Sequence, residues 1–520
     1  MDNARRSCIT FYNFVREKIG NFNRNVSNAL DINKRDNSIL VLDGLRAIAC
    51  LSVLFFHYRW LSAEHIVWWP TQGSLIYVTG FLLFGGNGII LFFLLSGFLL
   101  FLPFAKALLF KDSKWPSIRR FYLRRIFRII PAYYVALILL ILFTHPDFLE
   151  LTQWRVLANF LTLRMNYQYA QQINGVFWTL VVEFQFYLLL PLIAWVMSLV
   201  VRSGSTRWRL TKLTLCLLIM IGWGVVTRYW ALHIVDTTKL DWLLPHSVGV
   251  TLRSFLYGNP AYDASGRYFE VFGIGMLLCM FYVYSRNTPQ TARRKRVTQL
   301  LGLFCALIGL SSLAFVILLN LYFINIGTSP ILQYLFSSHQ NSWRDIWNVY
   351  HPFLTAIGYG LCMFALLQGP KWLKRPFEWS PLRWVGAISY SLYIWHMPLA
   401  SLFLGYSFPS IQNRSYTVQY MISLLWILIV IIPFSVASYR CIEQPGIRLG
   451  ESILRRIEKR KKTPDVVPEQ PRIRLDEPIL LSIAEQKKTP DVVPVLFSQS
   501  GYDHDGDIPL FLQPISGQQQ

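Results

Sequence analysis

An arginine and a histidine lie eleven residues apart in an apolar stretch near the start of the chain, VLDGLRAIACLSVLFFHYRW. Eleven residues of α-helix make three turns plus about 20°, so Arg46 and His57 share one face and lie about 16.5 Å apart along the axis. An imidazole there can accept a proton, and a guanidinium can bind an anion. The alternative is that Arg46 snorkels to lipid headgroups and His57 is a hydrogen-bonded packing residue.

A carboxylate and a second histidine lie in two later apolar stretches. Glu183, in GVFWTLVVEFQFYLLLPL, is about as far from the end of its stretch as His57 is from the end of its own. A carboxylate facing an imidazole sets its tautomer, so Glu183 and His57 are candidates for general base catalysis. Glu183 pairing structurally with Arg59 or His396 is the alternative. His396, in ISYSLYIWHMPL, is expected deeper than His57, as a satisfied interior histidine or a residue on the acceptor side.

Five arginines crowd the segment RRFYLRRIFRIIP. Arg124 and Arg125 lie four and three residues before Arg128, so the three are expected on one side of a helix. Guanidinium groups suit phosphate oxygens, which favours a phosphate-bearing ligand that also reaches Arg46. A cluster that contacts lipid headgroups is the alternative for any basic run beside a membrane.

The composition indicates the elements that position these residues. Of the 520 residues, 53% are hydrophobic and only 15% are charged, which is too apolar for an ordinary soluble domain and excludes a disordered chain. Seven cysteines without CxxC spacing indicate neither a disulfide scaffold nor a metal site. The pattern predicts an all-α integral membrane protein with about ten transmembrane helices. The predicted spans cover residues 40–62, 76–102, 119–143, 176–200, 212–232, 268–285, 297–322, 351–368, 384–404 and 417–439.

The distribution of basic residues predicts the orientation. The formal charge is +22, and 40 of the 50 Lys and Arg residues fall in alternate connecting segments and the two ends, against 7 in the other loops. Under the positive-inside rule both termini are therefore cytoplasmic. Because the basic excess is spread over six segments without a recognisable binding motif, nucleic acid is not expected as a partner.

Three regions follow from this division. Residues 1–39 are expected to form a cytoplasmic N-terminal segment and residues 40–450 the multi-span domain. Residues 451–520 are rich in charge and proline and contain KKTPDVVP twice, which predicts a flexible cytoplasmic tail. Two copies are too few for a repeat architecture.

Six motifs together resemble a known family. In chain order they are LDGLRAIACLSVLFFH, NGIILFFLLSGFLL, FYLRRIFRIIPAYY, WTLVVEFQFYLLLPL, ISYSLYIWHMPL and IEQPGIRL. Their order and spacing, from about Leu42 to Leu449, resemble the membrane acyltransferase family 3, whose members are O-acetyltransferases that modify exported glycans. By this resemblance the family's Arg-x10-His pattern falls on Arg46 and His57, and its RxxR pattern on Arg125 and Arg128. The family's Trp-to-Glu motif falls on Trp178 and Glu183.

The resemblance implies an acyl transfer across the membrane. Acetyl-CoA, or another acyl-CoA, is the expected co-substrate, with no tightly bound cofactor and no metal. The expected acceptor is a hydroxyl of a glycan or of a lipid-linked molecule, and the expected location is the plasma membrane. The residues expected to contact the donor phosphates are Arg46, Arg124, Arg125 and Arg128. Those expected on the acceptor side are Trp178, Tyr187 and His396, although aromatic residues there are also typical of an interfacial belt.

The chain departs from the family pattern at two positions, and two functions other than acyl transfer are alternatives. The chain has Phe184 where members often have a second glutamate, and Ile90 where they often have an aspartate. A catalytically inactive relative is therefore one alternative. A transporter or flippase of a sugar or lipid is the other, although the two halves show no hydropathy symmetry. The residues do not distinguish direct transfer from an acyl-histidine intermediate, and they do not indicate an oligomeric state.

Overall fold

The computed structural model describes residues 39–63, 87–164, 170–233, 245, 268–289, 291–323 and 340–462. Within these ranges the chain folds into helices joined by short turns. They are α1 (Leu40–Ala63), α2 (Gly88–Leu109), α3 (Ile118–Phe143), α4 (Trp154–Leu161), α5 (Phe177–Val201), α6 (Thr206–His233), α7 (Phe269–Asn287), α8 (Ala292–Phe323), α9 (Gln340–Gln368), α10 (Lys371–Lys374), α11 (Ser380–Leu402), α12 (Tyr416–Trp426), α13 (Ile432–Ser438) and α14 (Gln444–Lys462).

Ten helical segments in the described ranges are long and apolar enough to cross a membrane, which confirms the predicted all-α membrane fold. The second segment differs from its predicted bounds, because α2 runs through Pro103 and ends at Leu109 rather than at Leu102. A proline inside a spanning helix is tolerated where neighbouring groups satisfy the freed carbonyl. The first part of that predicted span, residues 76–86, lies outside the described residues.

The last span is a chain of short helices rather than one regular rod. Wide π-helical turns at Ile427–Ile431 and Tyr439–Glu443 join α12, α13 and α14. Pro433 follows the first of these turns, and a proline removes one helical N–H and crowds the preceding turn. Helix α14 continues to Lys462, beyond the predicted boundary of the tail at residue 450. The tail from residue 463 onwards lies outside the described residues.

Glycines bring two pairs of helices into backbone contact. A Cβ atom on Gly386 of α11 would lie 2.0 Å from the Asp43 carbonyl oxygen of α1, and one on Gly44 would lie 2.1 Å from the Phe377 oxygen. Between α2 and α7, a Cβ atom on Gly275 would lie 2.1 Å from the Leu94 oxygen. Small residues at spanning-helix interfaces allow this close approach, and packing then stabilises the pair. The glycines of α1 and α11 therefore set the separation of these helices.

Gly386→Ala is expected to destabilise the protein by about 1–3 kcal/mol, because the new methyl group meets backbone and the helices must separate. Gly222→Ala in α6 is the matched control, since a Cβ atom there meets nothing within 4 Å. Thermal unfolding of the purified protein in detergent measures both variants. Equal midpoints for the two variants would contradict the role assigned to Gly386.

Two hydrophobic cores lie side by side in the bundle. One is built mainly from α2, α5, α6, α7 and α9, and the other mainly from α3, α11, the C-terminal half of α1 and the start of α5. Ile89, Phe92, Phe184 and Tyr390 pack against both cores. A buried ion pair between Arg228 of α6 and Glu270 of α7, with the charged atoms 2.5 Å apart, lies at the edge of the first core. The boundary between the cores contains the cavity that is lined by Arg46, Arg125 and Arg128.

Candidate active site

A small cavity opens between the two cores. Helices α1, α2, α3, α5 and α11 all contribute to its wall. Its lining residues are Arg46, Ile89, Phe92, Phe93, Ser96, Arg125, Arg128, Ile129, Thr179, Leu180, Glu183, Tyr187, Ser389, Tyr390 and Tyr393. Its mixture of aromatic walls with a few charged groups is typical of a small-molecule site.

Three guanidinium groups face this space. Arg46 of α1 and Arg125 and Arg128 of α3 line the cavity, and Glu183 is the one acidic residue among its described lining residues. Within the described ranges none of the three arginines forms an ion pair. Arg125 lies over the Tyr187 ring, 5.9 Å from its centroid. Unpaired cations are costly within a membrane protein, so this arrangement favours an anionic ligand.

Arg124 does not belong to this group, although the sequence analysis placed it there. It is exposed and absent from the cavity lining. On α3, Arg124 and Arg125 are turned by about 100° from each other, with Arg128 between them in angle. The cavity lies on the Arg125 side of Arg128. Helical spacing predicts that the three lie near one another, but not which flank of the group faces the cavity.

Glu183 is held by two hydroxyl groups rather than by a histidine. The Ser96 hydroxyl of α2 and the Tyr187 hydroxyl, one turn later on α5, both donate to Glu183 Oε1. The carboxylate therefore faces the arginine-lined cavity, and the structure does not bring it to His57. The sequence predicts a similar depth for His57 on α1 and Glu183 on α5. Depth gives no information on which helices are neighbours.

The partner of His57 is the second histidine. His57 Nδ1 lies 3.1 Å from His396 Nε2 and also 3.1 Å from the Val53 carbonyl oxygen one turn earlier. His396 is buried, and its Nδ1 lies 2.7 Å from the Tyr393 carbonyl oxygen. The expectation that His396 lies deeper than His57 is wrong, because α11 begins at Ser380 rather than at the predicted residue 384.

These contacts assign the tautomers of both rings. A carbonyl oxygen only accepts, so His396 Nδ1 carries a hydrogen and its Nε2 has the lone pair. His57 Nδ1 must then donate, which agrees with its second contact to Val53. His57 Nε2 is left with a free lone pair and has no hydrogen-bond partner within the described ranges. The pair of histidines therefore presents a base at His57 Nε2.

Tyr393 connects the two parts of the site. Its ring lines the cavity and lies 5.6 Å from the His396 ring. The Thr179 hydroxyl donates to the Val176 carbonyl oxygen, so the Tyr393 hydroxyl, 2.7 Å away, donates to Thr179. The arginine-lined cavity and the histidine pair are thus neighbours, with the tyrosine held between them.

Comparison with known proteins assigns the family. The sequence matches the model described as an acyltransferase domain over residues 39–440, which is most of the chain. This protein belongs to that acyltransferase family. The motifs that suggested the family at the sequence level therefore identified it correctly. No solved structure matches the chain significantly.

Two curated relatives of this acyltransferase are bacterial. The peptidoglycan O-acetyltransferase OatA of Listeria monocytogenes is 25% identical over 69% of this chain and 49% of its own length. The O-acetyltransferase OatA of Staphylococcus aureus is 24% identical over 81% of this chain and 59% of its own length. The chain thus spans roughly half of each relative.

The aromatic candidates of this acyltransferase divide between two places. Tyr187 is buried in the cavity wall, beside Arg125. Trp178 lies in the first turn of α5, with its ring 6.3 Å from that of Tyr268, and does not line the cavity. The sequence analysis missed Ser96 and Tyr393. A single serine in an apolar helix is a weak signal, since most such hydroxyls bond to their own backbone.

Proposed function

We propose that this acyltransferase moves an acetyl group from acetyl-CoA to a hydroxyl of a cell-wall carbohydrate on the opposite side of the plasma membrane. The observation that carries the proposal is that two sites adjoin: a cavity lined by three arginines that form no ion pair among the described residues, and a histidine whose Nε2 has no hydrogen-bond partner among them. The names of the OatA relatives support acetyl transfer to a cell-wall acceptor. Donor, acceptor and membrane are all part of the proposal.

The arginines are assigned to the donor. Acetyl-CoA carries phosphate groups at one end and its thioester at the other, and guanidinium groups bind phosphate oxygens through paired hydrogen bonds. Arg46, Arg125 and Arg128 would hold the phosphates. The roughly 16.5 Å of helix between Arg46 and His57 is of the order that the pantetheine arm covers. Glu183, fixed by two hydroxyls, limits the positive charge and keeps Tyr187 in the wall.

His57 is assigned the proton transfers. Its Nε2 takes the proton of the acceptor hydroxyl while the oxygen attacks the thioester carbonyl carbon. The resulting tetrahedral intermediate expels the thiolate of CoA, which takes the proton back from Nε2, so the products are an O-acetyl ester and CoA. The hydrogen bond to His396 keeps Nδ1 protonated and directs the lone pair to Nε2.

His396 is a positioning residue in this scheme, and its replacements separate orientation from packing. His396→Leu removes one of the two acceptors of the His57 Nδ1 hydrogen and leaves the Val53 carbonyl oxygen, so we expect kcat to fall by about tenfold with KM for the donor unchanged. His396→Gln retains most activity, because the amide oxygen can accept in place of Nε2. Steady-state kinetics over a pH series measures both variants. Equal losses in both would contradict the orienting role.

Purified full-length protein with acetyl-labelled acetyl-CoA tests the proposal. Transfer of label to a carbohydrate acceptor, or release of free CoA, is expected and must require His57. CoA binding without any turnover would instead indicate an inactive relative. Absence of CoA binding would favour a transporter and would overturn the proposal. Label retained on His57 after denaturation would replace the direct step by an acetyl-histidine intermediate.

A further inference from the structure

A second cavity is lined by other residues of α1 and α2 than the arginine-lined cavity. Its volume is about 640 Å³, and helices α1, α2, α7, α9 and α10 contribute to its wall. The lining residues are Ile39, Leu40, Val41, Leu102, Lys106, Tyr282, Val283, Arg286, Asn287, Leu366, Leu367, Lys374 and Glu378. It shares no residue with the arginine-lined cavity. The proposed acyl transfer therefore makes no use of it.

Three cations from three different elements converge on this second cavity. Lys106 lies in the last turn of α2, Arg286 in the last turn of α7, and Lys374 in α10, directly after α9. Glu378 is the acidic residue of the lining. Among the described residues none of these four forms an ion pair. The cavity therefore has an excess of positive charge with no carboxylate bound to it.

Lys374 is fixed by a hydrogen bond and lies near the other charged groups of this cavity. Its amine donates to the Leu367 carbonyl oxygen at 2.9 Å, which fixes the side chain across the end of α9. Burial, together with the positive charge of Arg286, lowers the pKa of this amine, and Glu378 opposes the change. An anion placed between Lys374 and Arg286 would reverse the effect of the repulsion.

Most of the remaining lining residues are apolar and belong to the spanning helices. Leu102, Val283, Leu366 and Leu367 line it from α2, α7 and α9. The cations lie at or just beyond the ends of helices that are long and apolar enough to span a membrane, and the apolar lining residues lie within about two turns of the same ends. A basic pocket between spanning helices, continuous with an apolar wall, has the chemistry of a bound anionic lipid.

We propose that this cavity binds one anionic phospholipid, with its phosphate between Lys106, Arg286 and Lys374 and its acyl chain along α2 and α9. A phospholipid is favoured over a soluble phosphate because about half of the wall is hydrocarbon, which offers nothing to a small anion. The proposal is independent of the acyl transfer, since the two cavities have no lining residue in common.

Native mass spectrometry of the full chain in detergent, with added phosphatidylglycerol, tests the site. We expect one tightly bound phosphatidylglycerol and weaker binding of phosphatidylcholine. Each cation near an anionic headgroup contributes about fivefold in affinity, so Lys106→Gln with Arg286→Gln should weaken phosphatidylglycerol binding by more than tenfold. The matched control is Lys111→Gln with Arg293→Gln, an equal loss of charge at exposed positions outside the cavity.

The outcomes separate the possible ligands. Binding that falls in the cavity variant and persists in the control supports the site, provided that both variants unfold at the same temperature as the parent. Equal affinity for phosphatidylcholine, or equal loss in the two double variants, would overturn it. Displacement of the lipid by millimolar inorganic phosphate would show a soluble-anion site instead. Acetyl transfer measured on the same variants is expected to remain, which keeps this test apart from that of the proposed function.

Discussion

His57→Gln is expected to lower acetyl transfer by roughly a hundred- to ten-thousand-fold, the range over which a positioned base contributes to such reactions. The amide cannot accept and return a proton at the position of Nε2. Donor affinity should remain close to that of the parent, because the arginine-lined cavity does not include this ring. Turnover with labelled acetyl-CoA, and equilibrium binding of CoA, measure the two effects separately.

The chain contains a suitable control for the loss of a buried histidine. His351 of α9 lies 3.1 Å from the amide nitrogen of Asn320 on α8, and it lines neither of the two cavities. In His351→Gln the new amide oxygen can accept in place of the imidazole nitrogen. Transfer at the parent rate in this variant, with loss in His57→Gln, is the expected pair of results. If His57→Gln retained full turnover, His57 would not be the base.

Arg125→Gln is expected to weaken donor binding by about ten- to a hundredfold. This is the affinity that a charge-assisted hydrogen bond of about 1.5–3 kcal/mol provides. The turnover number at saturating donor should change little, because Arg125 is assigned to the phosphate end. Titration of the purified protein with CoA measures the dissociation constant directly.

The adjacent residue on the same helix is the control for Arg125. Arg124→Gln removes the same charge from an exposed position outside the cavity, so CoA affinity should change less than threefold. If the two variants lost affinity equally, CoA would respond to the overall charge of this membrane face and not to the cavity. The assignment of the donor site would then be wrong.

Much of the fold follows from the sequence by simple rules. Apolar stretches of about twenty residues identified the ten spans, and helical spacing placed Arg125 and Arg128 near each other. The predicted end of the second span at residue 102 was wrong, because Pro103 does not end α2. These features depend on one helix at a time, and a periodic pattern within one helix is sufficient to predict them.

The histidine pair depends on a different kind of information. His57 and His396 are 339 positions apart, and they meet because α1 and α11 are in backbone contact at glycines. A single sequence indicates depth and facing angle for each helix but not which helices are neighbours. For this reason it paired His57 with Glu183, and the structure instead brings Glu183 to Ser96 and Tyr187.

The position of the arginine-lined cavity between two cores affects how a ligand can enter. Ile89, Phe92 and Tyr390 line the cavity and pack against both cores. A ligand in this cavity therefore contacts side chains that both cores share. Ligand binding and the separation of the two cores are therefore thermodynamically linked. A ligand that favours one separation over another shifts the protein towards that separation when it binds.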